Sequence, residues 1–160
     1  MGFAMSDHGR SNTHRGIITG FLFKLIRESI PVSQERLAAD LGLDRATVQS
    51  WETGRRPFTS VTFGQAVAIR SHLAHRGADP VLLAALDDAA EADYLLSAVL
   101  DLDPTRVDLD QHPLGWSVLT HPLTELMHWA VVGKPPALVV AHRSTIRRRG
   151  TVAVGPVLDA

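Results

Sequence analysis

Arg45, Ala46, Gln49 and Ser50 fall on one side of a short helical segment, while Val48 and Trp51, three apart, occupy the other and can face a core. Small side chains let a helix backbone come close to a surface, and a few long polar ones reach past it. That combination suits the major groove of B-DNA, which admits an α-helix and shows a distinct donor and acceptor pattern at each base pair. Arg45 can read guanine O6 and N7, Gln49 can pair with adenine, and the Ala46 methyl can meet a thymine methyl. A good bidentate contact of this kind discriminates between bases by ~1–3 kcal/mol. Gln34 can donate to a phosphate, and Thr53, Arg55 and Arg56 can hold the backbone through amide and guanidinium contacts. The competing reading of the same residues is an ordinary solvated helix face.

The elements that must position these side chains are short helices. Ile17, Ile18, Phe21, Leu22, Leu25 and Ile26 recur at helical spacing and predict a first helix from about Gly16 to Ser29, closed off by Pro31. Ser33 is placed as the N-cap of a second helix, with Val32 and Leu37 as a hydrophobic staple. Leu37, Ala38 and Leu41 supply its buried face, and Gly42 stands where a left-handed C-terminal residue is wanted. Asp44 can cap a third helix running to about Thr53, which Gly54 ends. The connection between the second and third helices is a few residues long, the tight spacing of a helix-turn-helix.

The pattern Ser33-Gln34-Glu35-Arg36-Leu37-Ala38, Leu41-Gly42-Leu43, Thr47-Val48 and Trp51-Glu52-Thr53-Gly54-Arg55-Arg56-Pro57 resembles the XRE family, the phage-repressor and Cro group of helix-turn-helix proteins. The resemblance spans roughly residues 16–75. It implies that Gln34 clamps a phosphate, that Arg45, Ala46 and Ser50 take the principal base-reading positions with Gln49 peripheral, and that Thr47, Thr53 and Arg55 touch the DNA backbone. It also implies that Arg27 and Glu52 form a buried ion pair tying the first helix to the third. Repressors of this group commonly dimerise through residues beyond their DNA-binding helices. A two-fold dimer would set two reading helices about one DNA turn apart, ~34 Å, on a palindromic site. Thr53 departs from the family pattern, which usually has asparagine there, and the segment after Pro57 matches weakly.

Beyond Pro57 the expectations are a fourth helix from about Ser60 to His75, then a long helix over residues 80–100 that begins with the Asp79-Pro80 cap. Asp87, Asp88, Glu91 and Asp93 read as a solvated acidic stripe on that helix. Residues 101–115 read as a loop with an extended piece at 107–109. A further helix is predicted between His121 and Val132, closed by Gly133 and Pro135-Pro136. Residues 137–141 and 151–157 read as short strands. Trp116, Val118, Leu119, Leu123, Leu126, Met127, Trp129, Ala130 and Val131 form an apolar set suited to the core of a second small domain, a dimer interface or a ligand pocket.

Composition narrows the classes. The 160 residues are 45% apolar but only 6% aromatic, so the core must be built from aliphatic side chains. The absence of cysteine excludes a disulfide framework and a thiolate zinc site. His112, His121, His128 and His142 match no short metal-ligand spacing, and no Gly-rich phosphate loop or nucleophile elbow occurs. Neither a metal, a cofactor nor an enzymatic activity is expected. No apolar run approaches the ~18 residues of a membrane span, and residues 1–16 lack an apolar signal core; a cytoplasmic, nucleoid-associated protein is expected. Charge is segregated: ten Lys and Arg face six acids in residues 1–76, two face ten in residues 77–141, and four face one in residues 142–160. A basic front half beside an acidic second half suits a DNA-contacting module followed by a partner-contacting one.

Together these readings predict a mainly α chain. It comprises a flexible arm at 1–15, a repressor-like helix-turn-helix DNA-binding domain of about five helices at 16–76, a helical accessory and dimerisation region at 77–141, and a basic tail at 142–160. The expected function is a transcriptional regulator, a homodimeric repressor that reads double-stranded DNA with helix 44–53. The alternative is an antitoxin or anti-regulator whose acidic half binds a protein partner through residues 77–132.

Overall fold

The computed structural model describes residues 16–101, 113 and 121–141, and every regular element among them is helical. The helices are α1 (Ile17–Ser29), α2 (Gln34–Leu41), α3 (Arg45–Glu52), α4 (Phe63–His75), α5 (Pro80–Leu100) and α6 (His121–Val132), with a 3₁₀ turn at Phe58–Ser60. Among the described residues no helix is long and apolar enough to cross a membrane. The expected arm at 1–15, the 107–109 piece, Trp116, Val118, Leu119, His112, His142, the 151–157 strand and the basic tail lie outside the described residues.

Local signals account for most of the boundaries. Ser33 caps α2 by accepting a hydrogen bond from the Arg36 amide at 3.1 Å, and Val32 and Leu37 are both buried in the staple arrangement. Gly42 ends α2 with φ 66°, and the Leu43 amide reaches back to the Ala38 carbonyl at 2.8 Å, the pattern of a Schellman close. Asp44 occupies the N-cap of α3 but its side chain makes no cap hydrogen bond. Asp79 caps α5 through the Val81 amide at 2.7 Å, with Pro80 in the first turn.

Two expectations are corrected. The fourth helix begins at Phe63 rather than near Ser60. Thr62 makes a full capping box with Gln65, and the preceding residues tighten into the 3₁₀ turn that buries Phe58. Residues 137–141, read as a strand, are helical. The Val139 and Val140 amides both turn back to the Pro136 carbonyl, at 3.0 and 3.1 Å. A short apolar run cannot distinguish strand from helix by periodicity, and a preceding proline suits the first turn of a helix.

One apolar core runs from Ile18 on α1 to Val139. α5 packs along both α1 and α6, and α1 also meets α3 and α6. Leu123, Leu126, Trp129 and Ala130 point into this core, and Trp129 meets Phe21 edge to face at 5.1 Å, whereas Val131 is exposed. On the far side, Asp40 of α2 gathers Arg36 at 3.0 Å, His72 at 3.2 Å and Arg76, tying α2 to α4.

The acidic stripe requires a third correction. Asp87 and Glu91 are exposed, but Asp93 is fully buried. Its carboxylate accepts from the Ile18 amide at 2.9 Å, the Thr19 amide at 2.8 Å and the Thr19 hydroxyl at 2.6 Å. Gly16, the N-cap residue of α1, has no side chain to offer, so Asp93 satisfies the orphan donors of that helix from another element. Burial pushes its carboxyl up to about 6, against the downward pull of the bonds from Thr19 and Ile18.

Gly20 sets how near α1 comes to α3. A Cβ there would overlap the Trp51 carbonyl oxygen, which already accepts from the Gly54 amide at 3.0 Å. Alanine gains ~1 kcal/mol of helix propensity, but overlap with a backbone atom cannot be relieved by a rotamer change. Gly20→Ala is therefore expected to cost a net ~2–3 kcal/mol through overpacking. Thermal unfolding checks this, and an unchanged melting temperature would mean that the two helices do not meet so closely.

Candidate nucleic-acid interface

The α2–turn–α3 unit has one apolar side and one polar side. Behind it, Val48 and Trp51 are buried. Trp51 sits edge-on to Phe23 and Phe58, with centroids 6.0 and 5.5 Å apart, and Phe23 and Phe58 lie 5.3 Å from each other. This aromatic cluster fixes the rotation of α3 about its axis, because any roll would expose the indole. Val48 and Trp51 inward leaves Arg45, Ala46 and Gln49 exposed on the opposite face, while Ser50 and Thr47 are half-buried at its margins.

Arg27 and Glu52 meet in the interior between α1 and α3. The Arg27 Nε donates to one carboxylate oxygen and its second terminal nitrogen donates to the other at 3.1 Å, a two-point pairing. Arg27 also donates to the Val32 carbonyl at 3.2 Å, which holds the chain entering α2. Gln34 joins the same group: its side-chain nitrogen donates to Glu52 at 2.6 Å. One proton of that amide is thus committed to the buried pair, and the other remains as a donor at the N-terminus of α2.

The end of α3 is held by side chains as well. Thr53 turns its hydroxyl back to the Gln49 and Ser50 carbonyls at 2.9 and 3.3 Å, and its oxygen accepts from Arg55 Nε at 3.2 Å. The Arg56 amide donates to the Ser50 carbonyl at 3.1 Å, and its Nε lies 3.4 Å from Ser60 Oγ. Both guanidinium groups stay exposed just past the helix. Arg45, Gln49, Arg55 and Arg56 are thus exposed and Gln34 half-buried, on a two-helix unit whose apolar residues face the core.

One residue of this surface was not singled out in the sequence. Glu35 reaches from the first turn of α2 to Arg45, Oε1 to terminal nitrogen, at 2.8 Å. Beyond its place in the Ser33–Ala38 pattern, Glu35 offers the sequence only an acid in the first turn of a helix, which the helix dipole accounts for by itself. Among the described residues no three His, Asp or Glu side chains come together to hold a metal ion. No family model, curated protein or solved structure matches the chain.

Proposed function

We propose that this chain is a sequence-specific DNA-binding transcriptional regulator, a dimeric repressor that places α3 in the major groove of a palindromic operator. The observation that carries the reading is the exposed polar face of α3, backed by buried Val48 and Trp51 and followed by the exposed Thr53, Arg55 and Arg56. Arg45, Ala46, Gln49 and Ser50 read base edges. Gln34, Thr47, Thr53, Arg55 and Arg56 hold phosphates and fix the register of the helix in the groove. In a two-fold dimer the reading helices would sit ~34 Å apart.

The two classes of contact separate experimentally. Arg45→Ala is expected to weaken binding to the preferred sequence by ~1–3 kcal/mol while barely changing binding to scrambled duplex. Arg55→Ala should weaken both and reduce the salt slope by about one unit. Fluorescence anisotropy titrations across a range of salt measure each effect, and equal losses on both duplexes for Arg45→Ala would remove it from the base readers.

A second reading draws on a specific feature of the acidic half. Tyr94, Val99 and Leu100 on α5 and Val131 and Val132 on α6 are exposed, although large apolar side chains are usually covered. An antitoxin or anti-regulator would use residues 77–132 to bind a protein. Light scattering on the purified chain distinguishes the two: a dimer favours the repressor, and a monomer that fails to select a DNA sequence favours the protein-binding reading.

A further inference from the structure

We propose that Glu35 is a positioning residue that makes Arg45 selective, keeping it aimed at a base edge and away from phosphates; the inference rests on the DNA-binding reading above. The two side chains lie on different helices, and they meet at 2.8 Å although 61% of Arg45 and 66% of Glu35 is exposed. A guanidinium carries five N–H donors in a planar fork. The contact to Glu35 uses one terminal nitrogen, which leaves Nε and the other terminal nitrogen as a two-donor edge. That edge offers the two parallel donors that a guanine O6/N7 pair can accept.

The asymmetry between targets follows from this geometry. Arg45 can hold a guanine edge with its free donors while keeping Glu35 on the remaining nitrogen. A phosphate draws the guanidinium as a charge, whatever the base sequence, and competes with the Glu35 carboxylate for it. Glu35 also lowers the net positive charge that Arg45 offers to the DNA backbone. Specific binding retains the pair, and non-specific binding has to break it. Exposed ion pairs are weak, so the penalty on non-specific binding is about fivefold at most.

The residue one position earlier, Gln34, is anchored on Glu52 and belongs to the phosphate clamp. In the absence of DNA an acid in the first turn of α2 also favours that helix. That structural role predicts a change in melting temperature and none in sequence preference.

The test uses the full chain, the variant Glu35→Gln, and Glu35→Gln combined with Arg45→Ala. Binding to a scrambled duplex is titrated across salt, and each protein selects from a randomised duplex library. Glu35→Gln should bind scrambled duplex up to about fivefold more tightly, steepen its salt slope by about one unit, and lose discrimination at one guanine of the selected sequence. In the double variant the gain on scrambled duplex should vanish, because it depends on Arg45. If the native chain selects a sequence but Glu35→Gln keeps its slope and preference, or shifts only its melting temperature, the inference is wrong and the regulator reading stands. A gain that persists without Arg45 would also overturn it, since Glu35 would then repel phosphate directly. If the native chain binds no duplex at all, both readings fall together.

Discussion

Asp93→Ala is expected to destabilise the fold by an amount that depends on pH, larger by on the order of 3 kcal/mol at pH 4 than at pH 7.5. The carboxyl is fully buried and accepts three hydrogen bonds from the first turn of α1. Its removal leaves two amides and a hydroxyl without acceptors, at ~1–3 kcal/mol each where no water enters. The charged form is itself costly, because burial raises the group from 3.8 to about 6. The folded chain therefore holds this proton to a higher pH than the unfolded chain does. Its stabilising contribution is complete below about pH 4 and is lost as pH rises through about 6. The variant lacks that titration, and every other group cancels in the difference. Urea unfolding of both proteins from pH 4 to 7.5 measures it, and parallel profiles would mean that Asp93 is not held in a dry site.

That residue also shows where sequence reasoning stops. Leu82, Leu86, Ala89, Asp93 and Leu96 follow one another at spacings of four and three, so Asp93 lies on the apolar stripe of α5. Its acidic neighbours Asp87, Asp88 and Glu91 suggested a solvated face instead. An acid on a buried stripe is intelligible only when its donors are known, and these are 74 and 75 residues away. The α2–turn–α3 segment is legible for the opposite reason. Ser33, Gly42 and Gly54 act on amides and carbonyls within a few residues, so their type and position suffice. Val48 and Trp51 then fix which face of α3 is left exposed. Residues 137–141 fall between these cases: the apolar run allows either element, only Val139 of it is buried, and the turn at Pro136 decides helix over strand. The Glu35–Arg45 contact is not legible in the sequence, because a contact between exposed side chains on two helices leaves no periodic trace.

Glu52→Ala should produce the second large effect, a loss of ~3 kcal/mol, because it takes the two-point partner from the buried Arg27 guanidinium and leaves it only Glu28 as a charged partner, at 3.5 Å. For a chain of this size that corresponds to a melting temperature lower by roughly 10 °C. The side chains of the pair are only 10% and 2% exposed, so water cannot replace the lost partner without opening the contact between α1 and α3. The desolvation cost that makes the single variant severe also makes a double variant mild. Replacing both members by apolar residues, Arg27→Met with Glu52→Leu, removes both buried charges and should recover most of the lost stability. On the proposed function, affinity for duplex DNA should not recover with it. Gln34 is oriented by its bond to Glu52, and no apolar side chain can accept that proton. The double variant is thus expected to melt near the native temperature yet bind duplex DNA more weakly, with the loss shared by preferred and scrambled sequences as a phosphate contact requires. Recovery of both properties would mean that Gln34 needs no anchor, and recovery of neither would mean that the pair does more for the fold than neutralise its own charges.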